Sequence, residues 1–396
     1  MKIACIGNMN NTFFSIVRYI RDRGVDAHLL LLDKGEFPHF HPSRDSYDLE
    51  YQKFTKTLPW GNPIDFLKTP RERVRKSMED YDFLIGCNSA PAFLRKIGRP
   101  LDIFIPFGGD IVENPFFKFY KNPEKQLNYL LFSRCQRAGI GNARYLSMDE
   151  TNDDVEKIVR RLKIKGKRLK MAAPFLYTPV YNPLAISGYY DRSSWYKEFK
   201  KIRENHDVIV FHHSRHIWKN VSDKISYKGN YKLVRGFALF LKGGTRSNPC
   251  LVMFEYGCDV SETKKLVSEL GIERYVKWFP QIDRKEIMIG ISLSDIGAGE
   301  FGMSWLSYGV IYEIMAMGKP VMHHREDGLY RGLYPELYPM IHANTQEEVA
   351  RALTDYVSRK DYYKKMGEDA RVWFQRYAVD QPINEYLGII QGRARC

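Results

Sequence analysis

Few features of this chain suggest a secreted, metal-bound or membrane-spanning protein. Its six cysteines, at positions 5, 87, 135, 250, 258 and 396, are scattered and contain no CxxC pair. Neither a disulfide framework nor a zinc site is implied, and a reducing cytoplasm is the expected compartment. The opening run Met1-Lys2-Ile3-Ala4-Cys5-Ile6-Gly7 breaks at glycine and asparagine. It is too short for a signal peptide or a transmembrane helix and reads as a first β-strand. Heptads, internal repeats and low-complexity tracts are also lacking, which argues against coiled-coil, solenoid and disordered classes.

What is present is an ordinary globular balance, 44% hydrophobic and 27% charged, over 396 residues. That length exceeds one usual core and fits two domains. The formal charge of +14 is unevenly spread: Lys157, Arg160, Arg161, Lys163, Lys165, Lys167, Arg168 and Lys170 crowd into one stretch, while residues 251–350 are net acidic. Such a stretch is either a solvated basic helix or a patch attracted to an anionic membrane surface. No helix-turn-helix, RRM or zinc-finger pattern supports a nucleic-acid partner.

Apolar strand-like runs alternate with helical spacing, the pattern of parallel sheets flanked by helices, so the class is α/β. Strands are expected at 2–7, 26–32, 81–86, 101–107 and 139–142, and a helix at 12–23 stopped by Gly24. A proline- and tyrosine-rich segment, 173–183, reads as a linker. Beyond it the alternation restarts, with strands at 208–212, 250–256, 276–279, 295–298 and 320–323, and helices near 231–241, 262–270, 284–292 and 310–317. Two more helical patterns fill 345–377, and a last helix is expected at 382–390. The expected domains are 1–180, 181–376 and a tail, 377–396, that packs back on the first.

In open parallel sheets ligands bind beyond the carboxyl ends of the strands. There, the loop after 208–212 carries Ser214 and Arg215 and runs to Lys228-Gly229 before a helix. A guanidinium fork and an ammonium can clamp a diphosphate. The segment Gly297-Ala298-Gly299-Glu300-Phe301-Gly302 leads through Ser307-Tyr308-Gly309 into a helix bearing Glu313 and ending at Gly318. A glycine-rich loop at a helix N-terminus lets backbone N–H groups approach a phosphate. Glu313, in the first turns, is placed to accept hydrogen bonds from ribose hydroxyls.

These residues resemble the group 1 (family 4-like) retaining glycosyltransferases of the GT-B fold. Glu313-Ile314-Met315-Ala316-Met317-Gly318-Lys319-Pro320-Val321 is similar to that family's E-A-M-A-x-G-x-P-V signature, Ser214-Arg215 with Lys228-Gly229 to its donor-phosphate segment, and Gly108-Gly109-Asp110 to its H-G-x-D loop. Trp305 stands where the family has its first glutamate, and Glu300 is the nearest candidate for that role.

The resemblance implies two Rossmann-like doubly wound domains facing a central cleft. It implies a UDP- or GDP-sugar as co-substrate, no obligatory cofactor or metal, and transfer with retention to a glycan or lipid-linked glycan. Arg215 and Lys228 would hold the diphosphate with the backbone at 307–310, Glu300 with Phe301 and Gly302 the transferred sugar, Gln281 the base edge and Glu313 the ribose. Gly7, Asn8, Gly109 and Asp110 would face the acceptor. A nucleotide-sugar epimerase and a non-catalytic nucleotide-sugar-binding protein are the alternatives.

Three other features have plainer readings. His212, His213 and His216 lack a completed ligand set and read as ordinary loop histidines. Asp80-Tyr81-Asp82 has the D-x-D form of metal-dependent transferases but sits at a strand's start. Phe116-Phe117-Lys118-Phe119-Tyr120-Lys121 is either a buried aromatic cluster or a membrane-docking loop.

Overall fold

In a computed structural model of the chain, describing residues 1–32, 40–148, 153–169, 175–221 and 226–394, the apolar runs become strands of two separate parallel sheets. Lys170 of the basic stretch, and residues 173 and 174 of the linker, lie outside the described residues. One compact unit comprises Met1–Tyr177 with the segment from Tyr377 onward, and the other Thr178–Arg376.

The first unit holds seven strands: β1 (Lys2–Ile6), β2 (Asp26–Leu31), β3 (Thr55–Thr57), β4 (Phe83–Gly86), β5 (Ile103–Phe104), β6 (Tyr145–Ser147) and β7 (Lys167–Leu169). They lie in the order β3-β2-β1-β4-β5-β6-β7, all parallel. β1 is buried from Ile3 to Ile6, as a central strand covered on both faces must be. One face packs under the helix Thr12–Asp22 with Phe13, Ile16 and Ile20, joined by Tyr386 and Ile390 of the final helix Gln381–Ala394. Tyr386 and Ser147 share a hydroxyl–hydroxyl hydrogen bond of 2.7 Å.

Two expectations for this unit are corrected. Residues 139–141 are no strand but the end of the helix Pro123–Gly141, and the strand comes later, at β6. Gly139 is small because a Cβ there would strike the Pro91 carbonyl, so the glycine serves a close helix approach. The basic stretch is not one solvated helix either: the helix Asp153–Leu162 ends, and β7 follows as an edge strand.

The second unit holds β8 (Val208–His212), β9 (Pro249–Phe254), β10 (Val276–Phe279), β11 (Ile296–Ala298), β12 (Val321–His323) and β13 (Ile341–His342). Their order is β10-β9-β8-β11-β12-β13, again all parallel. The order reverses between β8 and β11, paired through Val210 with Ile296 and Phe211 with Gly297. Loops leaving a reversal point diverge to opposite faces and leave a crevice between them. Both loops singled out in the sequence, after β8 and after β11, leave from this point.

Candidate functional site

Buried hydrogen bonds fix the floor of this crevice. His212, the last residue of β8, is fully buried; its Nδ1–H donates to the Ala298 carbonyl at 3.0 Å, and its Nε2 accepts from Asn230 Nδ2 at 2.8 Å. Burial pushes its imidazole down to about 3, so the ring is neutral and this tautomer holds. Asn230 opens the helix Asn230–Lys242 and also binds the Arg215 carbonyl and the Ile217 N–H. One histidine thus ties the ends of β8 and β11 to the start of that helix. His216 is equally structural: it bonds Thr263 Oγ1 at 3.1 Å, and burial lowers it to about 4. The reading of these as loop histidines is therefore corrected for His212, a strand residue.

The segment before the helix lies directly on the glycine-rich loop. Phe301 N–H donates to the Lys228 carbonyl at 2.9 Å, and Lys232 Nζ donates to the Phe301 carbonyl at 2.7 Å. Such backbone contact requires glycine on both sides. Gly229 has φ +66 and would place a Cβ 2.8 Å from the Phe301 carbonyl carbon, while a Cβ on Gly302 would strike the Tyr227 carbonyl oxygen. Lys228 is carried in this way to Glu300, and their side chains form a buried ion pair at 2.8 Å.

The carboxyls of the two glutamates of the site are shifted in opposite directions. Burial raises the Glu300 carboxyl above the usual range, and the charges of Lys228 and Arg215 only partly offset it. Glu313 is as deeply buried, but both its oxygens are bonded: Oε2 accepts from His213 Nε2 at 2.7 Å and Oε1 from Arg284 Nε at 2.8 Å. These partners outweigh burial and hold its carboxyl below the usual range. Carboxyls shifted in opposite senses recur at functional sites, as they do in structural ion-pair networks.

Around the pair, Tyr308 accepts a hydrogen bond from the Glu300 backbone N–H, and its own hydroxyl is raised well above the ordinary range, chiefly by burial. The Trp305 ring centroid lies 6.0 Å from Lys228 Nζ. Three buried polar atoms at this rim, His213 Nδ1, Ser214 Oγ and Trp305 Nε1, have no hydrogen-bond partner among the described residues. Arg215 is exposed beside them. Buried unsatisfied groups are uncommon in native proteins, and a water or a ligand is the usual partner for those at a crevice rim.

The crevice of the second unit thus gathers Ser214, Arg215, Lys228, Glu300, Phe301, Gly302, Tyr308 and Glu313. Ser307 and Gly309 flank Tyr308 at the start of the helix Gly309–Ala316. Gln281 stands apart: it is exposed in the loop after β10, and Arg284, three residues on, makes the contact with Glu313. From sequence, His213 reads as an ordinary loop histidine and Trp305 as the residue in place of a glutamate, and Arg284 has no role. No local spacing could have paired them, because the His213–Glu313 contact spans 100 residues.

In the first unit, Gly7 (φ +93) and Asn8 follow β1, and Gly109 and Asp110 follow β5, at the carboxyl ends of their strands. The Phe13 and Phe107 ring centroids, 6.2 Å apart, connect the two loops. Asn8 is consumed locally: Nδ2 donates to Asn11 Oδ1 at 2.8 Å, and Oδ1 accepts from the Phe14 N–H at 3.0 Å. The Asp110 carboxylate accepts from the N–H groups of Phe107 and Asn88, and burial pushes it up to about 6 despite those bonds. Both side chains shape their loops, and of these four residues only Gly109 is exposed.

No group of three metal-ligating side chains occurs among the described residues, and no described helix is long and apolar enough to cross a membrane.

No family profile and no curated protein matches this sequence. Solved structures do match along the whole chain. HepE of Anabaena, determined with UDP, superimposes with a TM-score of 0.63 at 16% identity, covering 99% of this chain and 100% of its own. Sucrose-phosphate synthase of Thermosynechococcus elongatus gives 0.61 at 14% identity, covering 100% and 99%. UDP-GlcNAc 2-epimerase of Neisseria meningitidis, bound to UDP-GlcNAc, gives 0.54 at 11% identity, covering 99% and 100%. At such identities the likeness concerns the fold: the chain has the two Rossmann-like domains of the GT-B architecture.

Proposed function

We propose that this protein is a glycosyltransferase that moves a sugar from a nucleotide-sugar donor to a glycan or lipid-linked glycan with retention of anomeric configuration. The observation that carries the reading is the Lys228–Glu300 pair, flanked by Arg215 and by three unpartnered buried polar atoms, at the reversal point of the second sheet. Such a set suits an anionic leaving group joined to a hydroxyl-rich one. HepE, of the same fold, has been solved with UDP and with UDP-glucose, which supports a uridine or similar nucleotide sugar as donor.

In this reading Arg215 and Lys228 hold the diphosphate with the backbone at 307–310. Glu313 takes the ribose hydroxyls and Gln281 the base edge, while Glu300 with Phe301 and Gly302 takes the transferred sugar. The acceptor oxygen bonds to the anomeric carbon from the face that the diphosphate leaves. The anomeric C–O bond breaks, and the acceptor proton passes to the departing phosphate oxygen. Fixed cations stabilise the charge that gathers there, an effect worth about 10²–10³ in rate per group in comparable electrostatic sites. No metal or cofactor is needed for that step. Gly7, Asn8, Gly109 and Asp110 belong to the loops that border the acceptor, and the enzyme works in the cytoplasm at the inner face of a membrane.

The test is donor consumption with a panel of UDP- and GDP-sugars, preceded by a thermal-shift screen, since a bound donor raises apparent stability with its concentration. If Arg215→Ala, Lys228→Ala and Glu313→Ala each leave transfer unchanged, the site assignment is wrong. The likeness to UDP-GlcNAc 2-epimerase supports a second reading, isomerisation of the donor. Conversion of a nucleotide sugar to its epimer without any acceptor would select it.

A further inference from the structure

The first unit carries a surface that its own fold leaves uncovered. Six large apolar side chains stand in solvent: Ile64, Val112, Phe117, Phe119, Leu127 and Leu130, with Phe119 79% exposed. They come from three segments that pack on one another. Asn128 joins two of them, accepting from the Leu67 N–H and donating to the Pro63 carbonyl. A cavity of about 180 Å³ joins the third, lined by Pro63, Phe116 and Tyr120 with Tyr129 of the long helix. Leu127, Leu130 and Arg134 follow i, i+3, i+7 spacing, so one helix face presents apolar side chains and then a cation. The sequence alternative of a buried aromatic cluster holds for Phe116 and Tyr120, which are partly covered, but not for Phe117 and Phe119.

The charge around this patch is predominantly positive, although Glu113 and Glu124 pair with Lys118 and Lys68. Residues 112–137 hold five lysines and arginines against two glutamates, and residues 157–168 hold seven without one carboxylate. The two sets are contiguous: the Arg161 guanidinium carbon stands 3.9 Å from the Phe116 ring centroid, and Arg137 stacks on the same ring at 5.7 Å. Apolar side chains beyond a few isolated ones, rimmed by cations, fit neither plain solvent nor a purely ionic partner. Exposed rings enter the headgroup–acyl boundary while neighbouring lysines and arginines stay at the level of the phosphates.

We propose that this face, formed by the 112–121 loop, the first turns of the helix Pro123–Gly141 and the cations of 157–168, docks the protein on an anionic lipid bilayer. The docking extends the proposed use of a lipid-borne acceptor, and its physiological sense rests on that reading. The binding itself needs no substrate, so the two can fail separately.

Sedimentation with vesicles tests it on the full chain. The protein is expected to bind vesicles mixing phosphatidylcholine and phosphatidylglycerol but not phosphatidylcholine alone. Binding should fall as salt shortens the Debye length from about 10 Å at 0.1 M to about 3 Å at 1 M. Removing three cations with Lys121→Gln, Arg160→Gln and Lys165→Gln should weaken binding by about two orders of magnitude, since each contributes about a fivefold factor near such a surface. Phe117→Ser with Phe119→Ser should weaken it about tenfold or more without changing net charge. All five positions are exposed, so the variants should keep the wild-type unfolding midpoint.

The proposal is overturned if the wild type ignores anionic vesicles at low salt. It is overturned equally if Lys200→Gln, Lys201→Gln and Lys265→Gln, exposed cations of the second unit that are no part of this face, weaken binding as much. Binding that survives the phenylalanine replacements and is matched on RNA would make the face a polyanion site and not a membrane one. Transfer to a soluble acceptor alongside failed vesicle binding would leave the transferase reading standing and remove only this one.

Discussion

Lys228 and Glu300 lie 72 residues apart in sequence and meet as a buried ion pair at 2.8 Å. Removing one partner of such a pair strands a charge, which costs about 3–5 kcal/mol when the charge has no other outlet. Glu300 has one, because burial already raises its carboxyl above the usual range. In Lys228→Ala the folded protein should take up a proton at Glu300 that the unfolded chain does not bind. Stability is then present at low pH and declines as pH rises toward the raised folded value. Urea unfolding from pH 5 to pH 8 should show Lys228→Ala losing more against wild type at the alkaline end. A loss that does not vary with pH would mean Glu300 is not the stranded group.

Glu313 behaves in the opposite sense. Its folded carboxyl is held below the usual range, with the His213 hydrogen bond and the Arg284 charge outweighing burial. A depressed carboxyl contributes stability above its unfolded value of 4.5, and that contribution is lost as pH falls through the lower folded value. Arg284→Gln removes one of the two partners, at a cost of about 1.5–3 kcal/mol for a hydrogen bond to a charged group. It should move the acid unfolding transition to higher pH. Donor KM should rise with little change in kcat, because Arg284 holds Glu313, which in the proposed site takes the ribose and not the transferred sugar. A fall in kcat at unchanged KM would contradict that role.

Much of this architecture was legible in the sequence where the signal is local. β8 and the helix Arg284–Ser292 fall where the apolar spacing put them, since a buried parallel strand is a continuous apolar run and an amphipathic helix repeats every three to four residues. The edge strands β3, β7 and β13 escaped, because Thr-Lys-Thr, Lys-Arg-Leu and Ile-His carry no apolar run. At 139–142, an apolar and glycine-containing end of a long helix imitated a strand. The same distinction governs the site. Ser214, Arg215, Lys228, Glu300 and Glu313 announce themselves within short motifs, whereas the contacts that set their charge states, from His213 and Arg284, depend on how distant loops converge.

Gly302 offers a test of that convergence. A methyl group at this position would strike the Tyr227 carbonyl oxygen, which is backbone and cannot swing away. Gly302→Ala should separate the 227–229 and 300–302 segments, weaken the Phe301–Lys228 hydrogen bond and lower stability by about 1–3 kcal/mol, the usual cost of overpacking. Gly328, with nothing within 4 Å of a built Cβ, is the control and should change stability by less than about 0.5 kcal/mol. Equal unfolding midpoints for the two variants would show that the approach is looser than described.

Trp305 is where this site departs most from the pattern it resembles, an indole in place of a carboxylate. Its ring stands 6.0 Å from Lys228 Nζ and 6.5 Å from the Tyr308 ring, and its N–H is buried without a partner among the described residues. A ring in this place can cover the apolar face of a pyranose, and its N–H can donate to one hydroxyl. Trp305→Phe keeps the ring and removes only the donor. Nucleotide affinity, measured calorimetrically with UDP, should stay within about twofold, whereas kcat/KM discrimination between donors epimeric at one hydroxyl should shrink by about five- to a hundredfold, the cost of about 1–3 kcal/mol for leaving one buried neutral donor unsatisfied. Trp305→Ala should lose the discrimination and raise KM for every donor. Unchanged discrimination in Trp305→Phe, with UDP still bound, would leave the indole N–H to packing alone and return sugar selection to Glu300.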